Sequence, residues 1–163
     1  MKRIMVPTDF SEGSFEALKY AIKLMQNQEL ELLIVHVIEP LPHGIGRWYE
    51  PTKLVERYAE EAASELERFE RRAKALYPRC HSELHFGVIQ DVIRQVVKKN
   101  HIDLVVMSMS ETTHLLDLLI RSTALKILRC SPCPVLRVCA ADDPKLEALQ
   151  DNHELSPELV QHL

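Results

Sequence analysis

Asp103-Leu-Val-Val-Met-Ser-Met-Ser-Glu-Thr-Thr-His-Leu-Leu-Asp-Leu-Leu-Ile-Arg-Ser-Thr123 is the stretch on which the fold turns. Leu104–Met107 is a short apolar run, the pattern of a strand covered on both faces. Ser108 to His114 is polar, and from Leu115 the apolar residues recur at helical spacing up to Arg129. A strand, a polar loop and a helix start, in that order, form the place where an α/β protein cradles phosphate. Such a cradle draws on glycine, because the backbone must approach the anion closely and adopt φ > 0. No glycine occurs after Gly87, and the loop offers Ser108, Glu111 and Arg121 instead. The setting is that of a nucleotide site, and the side chains argue against one.

Outward from this stretch, strand-like and helix-like patterns alternate. Arg3–Pro7 reads as the first strand, and Thr8–Gly13 as a turn rich in cap-forming side chains. Ser14 to Gln26 places Phe15, Leu18, Ile22 and Met25 at helical spacing, and Leu30–Val37 is a continuous β-rich run. Residues 39–50 break the pattern with Pro40, Pro42, Gly44 and Gly46. Trp48 and Tyr49 in that loop either pack on the sheet edge or form a lid. Lys53–Leu76 reads as a long charged helix, Glu83–Phe86 as a third strand closed by Gly87, Val88–Lys99 as an amphipathic helix and Val135–Val138 as the fifth strand. The order βαβαβαβαβ predicts an α/β fold: an open parallel five-stranded sheet with helices on both faces. Ligands in such folds sit outside the carboxyl ends of the strands. The segments there are Pro7–Glu12, Val37–Trp48 and Ser108–His114.

Length and composition narrow the function. A chain of 163 residues suits one domain, assigned to 1–139, with 140–163 as a C-terminal extension of short helical segments or tail. A net charge of −4 gives no electrostatic reason to expect nucleic acid. No apolar run approaches the roughly 20 residues that span a bilayer, and the first residues lack a signal-peptide core, so no membrane partner and a cytoplasmic location are expected.

Cys130-Ser-Pro-Cys133 has the spacing of a redox motif or half a zinc site. A redox pair opens a helix, whereas Cys130 closes the pattern Ala124–Arg129, and no second pair completes a zinc site. Structural thiols are expected. The histidines, among them His36, His81, His85, His101 and His114, lack metal spacing. His81 and His85 in one strand would stand about 13 Å apart. No metal and no catalytic residue is assigned.

Five segments, in order, resemble a known family. Ile4-Met-Val-Pro-Thr-Asp-Phe-Ser11 resembles the opening of universal stress proteins, and Leu33–Val37 their second strand. Gly87 with Ile93 resembles the third βα junction. Asp103–Met107 and Ser131-Pro-Cys-Pro-Val-Leu136 resemble the last two strands and the proline turn between them. The resemblance covers about residues 2–138 and implies an adenine nucleotide alpha hydrolase-like, Rossmann-like fold. Nucleotide-binding members carry Gly-x2-Gly-x9-Gly-Ser/Thr after the fourth strand. Those positions fall here on Ser108, Glu111, Arg121 and Ser122, so all three glycines are replaced. Glu111 places an anion where phosphate oxygens would sit, a like-charge contact costing on the order of several kcal/mol. Arg121 either pairs with a phosphate or pairs with Glu111 and fills the pocket.

The adenosine half is better kept. Asp9 matches the family position that contacts ribose or adenine, and Val37 the one whose backbone contacts adenine. Asp9 reads equally as the N-cap of the first helix, and Val37 as a core strand residue. Asp9, Val37, Ser108, Arg121 and Ser122 therefore mark a vestigial nucleotide pocket.

The resemblance implies a dimeric stress-response or interaction module without a bound cofactor, a homodimer through strand Val135–Val138 and possible protein partners. Two other readings stand beside it: an adenine-nucleotide sensor holding ATP or AMP by a non-standard loop, and a weak nucleotide hydrolase. The missing glycines separate the first from the second. The absence of an evident base or nucleophile set separates both from the third. In the extension, Leu146, Leu149, Leu155, Leu159, Val160 and Leu163 are expected to pack rather than stay solvated.

Overall fold

The computed structural model describes residues 1–25, 29–39, 51–109 and 126–139. Its elements are β1 (Lys2–Pro7), α1 (Glu12–Leu24), β2 (Leu30–Ile38), α2 (Pro51–Leu76), β3 (Cys80–Phe86), α3 (Ile89–Lys99), β4 (Leu104–Met109) and β5 (Val135–Cys139), with residues 126–130 also helical. The loop of Trp48 and Tyr49, the segment with Glu111, Arg121 and Ser122, and the extension 140–163 lie outside the described residues.

The five strands order as β3-β2-β1-β4-β5, every neighbour parallel. Alternation along the strands makes two cores, one on each face. On one face Ile4, Val6, Leu32, Ile34 and Val106 meet Leu18 and Ala21 of α1 and Leu66, Phe69 and Ala73 of α2. On the other, Met5, Leu33, Val35, Val105 and Met107 meet Val92, Ile93, Val96 and Val97 of α3, together with Ile127. This follows from the crossover rule. β1, β2 and β3 step one way across the sheet, β4 and β5 the other, so right-handed connections place their helices on opposite faces. The step reverses between β1 and β4.

Several boundaries move by one to three residues from those expected, and two of these shifts have a local cause. The first helix begins at Glu12, because Ser11 caps it by accepting the Ser14 N–H. β3 begins at Cys80 rather than Glu83, because parallel pairing with β2 runs from Leu32↔Cys80 onward and buries the Cys80 side chain. The polar pair His81–Ser82 hides that start in the sequence, since an edge strand tolerates polar side chains. β5 forms the opposite edge of the sheet, and Val135, Leu136 and Val138 are only half-buried there.

Candidate functional site

Register sets where the strand ends meet. Pro7 lies opposite Val35, and Met5 opposite Val105, so the chain leaves β1 beside the last residues of β2 and β4. There the sheet opens a cleft of about 150 Å³, lined by Asp9, His36, Val37 and Ser108 among others, at the point where the strand order reverses. Three of the five predicted pocket residues, Asp9, Val37 and Ser108, therefore converge on one cavity. Arg121 and Ser122 lie outside the described residues.

The turn from β1 to α1 is held by a directed chain of hydrogen bonds. The buried Ser14 hydroxyl donates to the Ser11 carbonyl at 2.8 Å, so its single proton is spent. The Thr8 hydroxyl, 2.8 Å away, must then donate to Ser14 Oγ, and it accepts the Phe10 N–H at 2.9 Å. Asp9 Oδ1 accepts both the Ser11 N–H at 3.1 Å and the Ser11 hydroxyl at 2.5 Å. Asp9 is thus not the helix cap; it orients the serine that is. Its carboxylate stands exposed at the mouth of the cleft.

β2 supplies His36, which sequence reasoning had set aside among scattered histidines. Its Nδ1 lies 2.7 Å from the Thr8 carbonyl oxygen, and its ring stacks on Phe10 at 4.2 Å between centroids. The signal was its place one residue before Val37 at the carboxyl end of a strand, where the α1-facing side must meet whatever follows β1. Val37 itself is half-buried and packs against the second core, so both its core role and its cleft position hold.

Near the carboxyl end of β4, Ser108 lies against the first turn of α1. A Cβ added at Gly13 would come within 3.1 Å of Ser108 Oγ, so Gly13 permits this approach and the serine hydroxyl occupies the ground between the two elements. Beside the cleft, Glu39 follows β2 and accepts the Ile89 N–H at 3.1 Å, supplying the side-chain cap that Val88 lacks. Lys126 lies 3.6 Å from the same carboxylate oxygen.

The cysteines stand apart from this chemistry. Cys80, Cys130 and Cys133 are free, and burial pushes each thiol above its ordinary value. Arg94 near Cys130 and the Ser131 hydroxyl bonded to Cys133 only partly oppose this. That is the reverse of an activated thiol. On β3, His85 bonds to Glu83 at 2.7 Å, and no group of three metal-ligating side chains occurs among the described residues. No helix among them is long and apolar enough to cross a membrane.

The model of the "Universal stress protein family" matches residues 1–138. The chain is 30% identical over 141 residues to "Universal stress protein MJ0531" of Methanocaldococcus jannaschii, with 84% of this chain and 81% of the relative covered. Among solved structures, MJ0577 of the same organism superposes with a TM-score of 0.69 at 25% identity, covering 85% of this chain and 96% of that one. An Arabidopsis thaliana universal stress protein family protein with AMP bound superposes at 0.57 and 18% identity, covering 88% and 95%; at that identity the likeness is one of fold.

Proposed function

This chain belongs to the universal stress protein family, and from that premise we propose that it works as a dimeric stress-response or interaction module that does not hold ATP by the family's glycine loop. The observation that carries this reading is Ser108. It stands where the first loop glycine would be, with its hydroxyl packed against the first turn of α1 at Gly13. With Glu111 and Arg121 at the next two glycine positions, the backbone conformation that exposes amides to phosphate is disfavoured.

The dimer rests on β5. An edge strand with half-buried apolar side chains invites pairing with a second copy across a two-fold axis. We read the module as cytoplasmic and non-catalytic. In support, His36, the imidazole at the cleft, has its Nδ1 engaged by a carbonyl, and the Ser14 and Thr8 hydroxyls are committed within the turn.

One observation favours a second reading, an adenine-nucleotide sensor. Asp9 and Val37 keep their places around the cleft, and a structural neighbour carries AMP. A thermal-shift titration with ATP, ADP and AMP decides between them, because a ligand that binds only the native state raises its melting temperature. Flat titrations with all three support the module. A dose-dependent rise with AMP and not ATP favours the sensor, and micromolar ATP binding by calorimetry overturns the proposal.

A further inference from the structure

Phe10 adopts φ 66°, in the left-handed region that bulky side chains rarely enter. Backbone in such a region persists only where its surroundings over-determine it, and it clusters at ligand sites. The surroundings here can be named: Phe10 packs against the first core, and two directed contacts hold it as well. The Phe10 N–H donates to Thr8 Oγ1 at 2.9 Å, and the ring stacks on His36 with centroids 4.2 Å apart and planes 29° from parallel. His36 also holds Thr8, whose carbonyl oxygen is 2.7 Å from Nδ1. That oxygen can only accept, so Nδ1 carries the proton, and the neutral ring is the Nδ1–H tautomer with Nε2 bare. One imidazole thus grips the residues on either side of Asp9, by a hydrogen bond to Thr8 and by a stack on Phe10.

We propose that His36 is the positioning residue of the cleft: it fixes the left-handed turn at Phe10 and so sets where the Asp9 carboxylate points. Without the ring, Phe10 loses its stacking partner and the Thr8 carbonyl its donor. The turn then relaxes to negative φ, and the bonds from Ser11 to Asp9 Oδ1 are released. Thr8 itself stays anchored, because its N–H donates to Val35 O in the sheet. The disturbance therefore stops at the turn. This role concerns the shape of the protein alone and stands whether or not a nucleotide binds.

The test is made on the full chain without nucleotide, by amide hydrogen exchange and ring ¹⁵N NMR. The wild type is expected to show the Nδ1–H tautomer. His36→Ala is expected to speed exchange of the Phe10 and Ser11 amides about tenfold or more, with the Thr8 and Ile34 amides unchanged. His36→Phe keeps a stacking ring, and His36→Asn keeps a donor near Nδ1, so each is expected to restore part of the protection. Wild-type exchange at Phe10 and Ser11 in His36→Ala, or a wild-type Nε2–H tautomer, overturns the proposal. If His36→Ala fails to fold, His36→Phe carries the test, and unchanged Ser11 exchange in that variant counts against it equally.

Discussion

Arg72 of α2 lies over Phe15 of α1, its guanidinium carbon 4.0 Å from the ring centroid, while its two terminal nitrogens fork onto Glu12 at 2.9 and 3.0 Å. One side chain thereby closes the first turn of α1 onto the last turns of α2, next to the turn that carries Asp9. The hydrogen bond from Arg72 holds the Glu12 carboxyl below its ordinary value. A carboxylate lowered in the folded state adds stability at neutral pH that is lost as pH falls through its folded value. Arg72→Ala is expected to lower the melting temperature by a few degrees at pH 7. The difference should shrink as pH falls through the lowered folded value of Glu12, where the carboxyl takes up its proton and only the ring contact is left. Arg72→Lys keeps the charge but neither the fork nor the flat stack, so it should recover only part of the loss. Calorimetry of the three proteins across that pH range checks this.

Gly13 and Ser108 are expected to couple. Alanine is favoured over glycine by about 1 kcal/mol in a helix interior, and by up to that in the first turn where Gly13 sits. A Gly13 Cβ would press on Ser108 Oγ at 3.1 Å, which consumes that gain. Gly13→Ala alone should therefore be close to neutral, whereas in a Ser108→Gly background it should stabilise by up to about 1 kcal/mol. A double-mutant cycle by urea unfolding measures the difference, and additive effects would count against the contact.

The β5 edge gives a prediction about backbone rather than side chains. The Val105 N–H donates to Pro134 O at 3.0 Å. The parallel ladder then turns the Leu136 N–H towards β4 and the Val135 N–H towards the open edge. Val135→Pro should leave the melting curve nearly unchanged and shift the light-scattering mass towards monomer at micromolar concentration. Leu136→Pro should destabilise the fold itself. A monomeric wild type at that concentration would remove the dimer from the proposed function.

The buried and half-buried thiols make a pH prediction of opposite sign to Glu12. Cys80, Cys130 and Cys133 are raised from 9.0 by burial, so their contribution is intact below that value and is lost as pH rises through the folded values. Stability should fall above about pH 9. At pH 7 a thiol reagent should modify these cysteines far more slowly than free cysteine, with rates that rise only on unfolding. Fast labelling of Cys133 in the native protein would contradict this.

The parallel sheet was legible because Leu32–Val35 and Leu104–Met107 are apolar on both faces, the pattern expected of a doubly covered strand, and they alternate with helical patterns. Cys80 was missed as a strand start because an edge residue takes its strand character from pairing with Leu32, not from its neighbours. Asp9, Val37 and Ser108 were found through their order along the chain, which the topology turns into one cleft. His36 was not, because its partner lies 28 residues away and the bond runs to a backbone carbonyl, which no residue type announces. Of the two readings of Asp9, that of helix cap falls to Ser11, since both residues are good caps and only the phase of α1 chooses between them.

β1 comes first in the chain and lies in the middle of the sheet, paired with β2 on one side and β4 on the other. During synthesis its far flank waits for a partner until residue 104 has left the ribosome, with Ile4, Met5 and Val6 unable to be fully covered before then. The sheet is therefore assembled in two stages, on either side of β1. β1, β2 and β3 can associate early, but the cleft needs both sides of the reversal and is completed only late in translation. A chain that ends between β3 and β4 would leave that flank of β1 as an unpaired apolar strand edge.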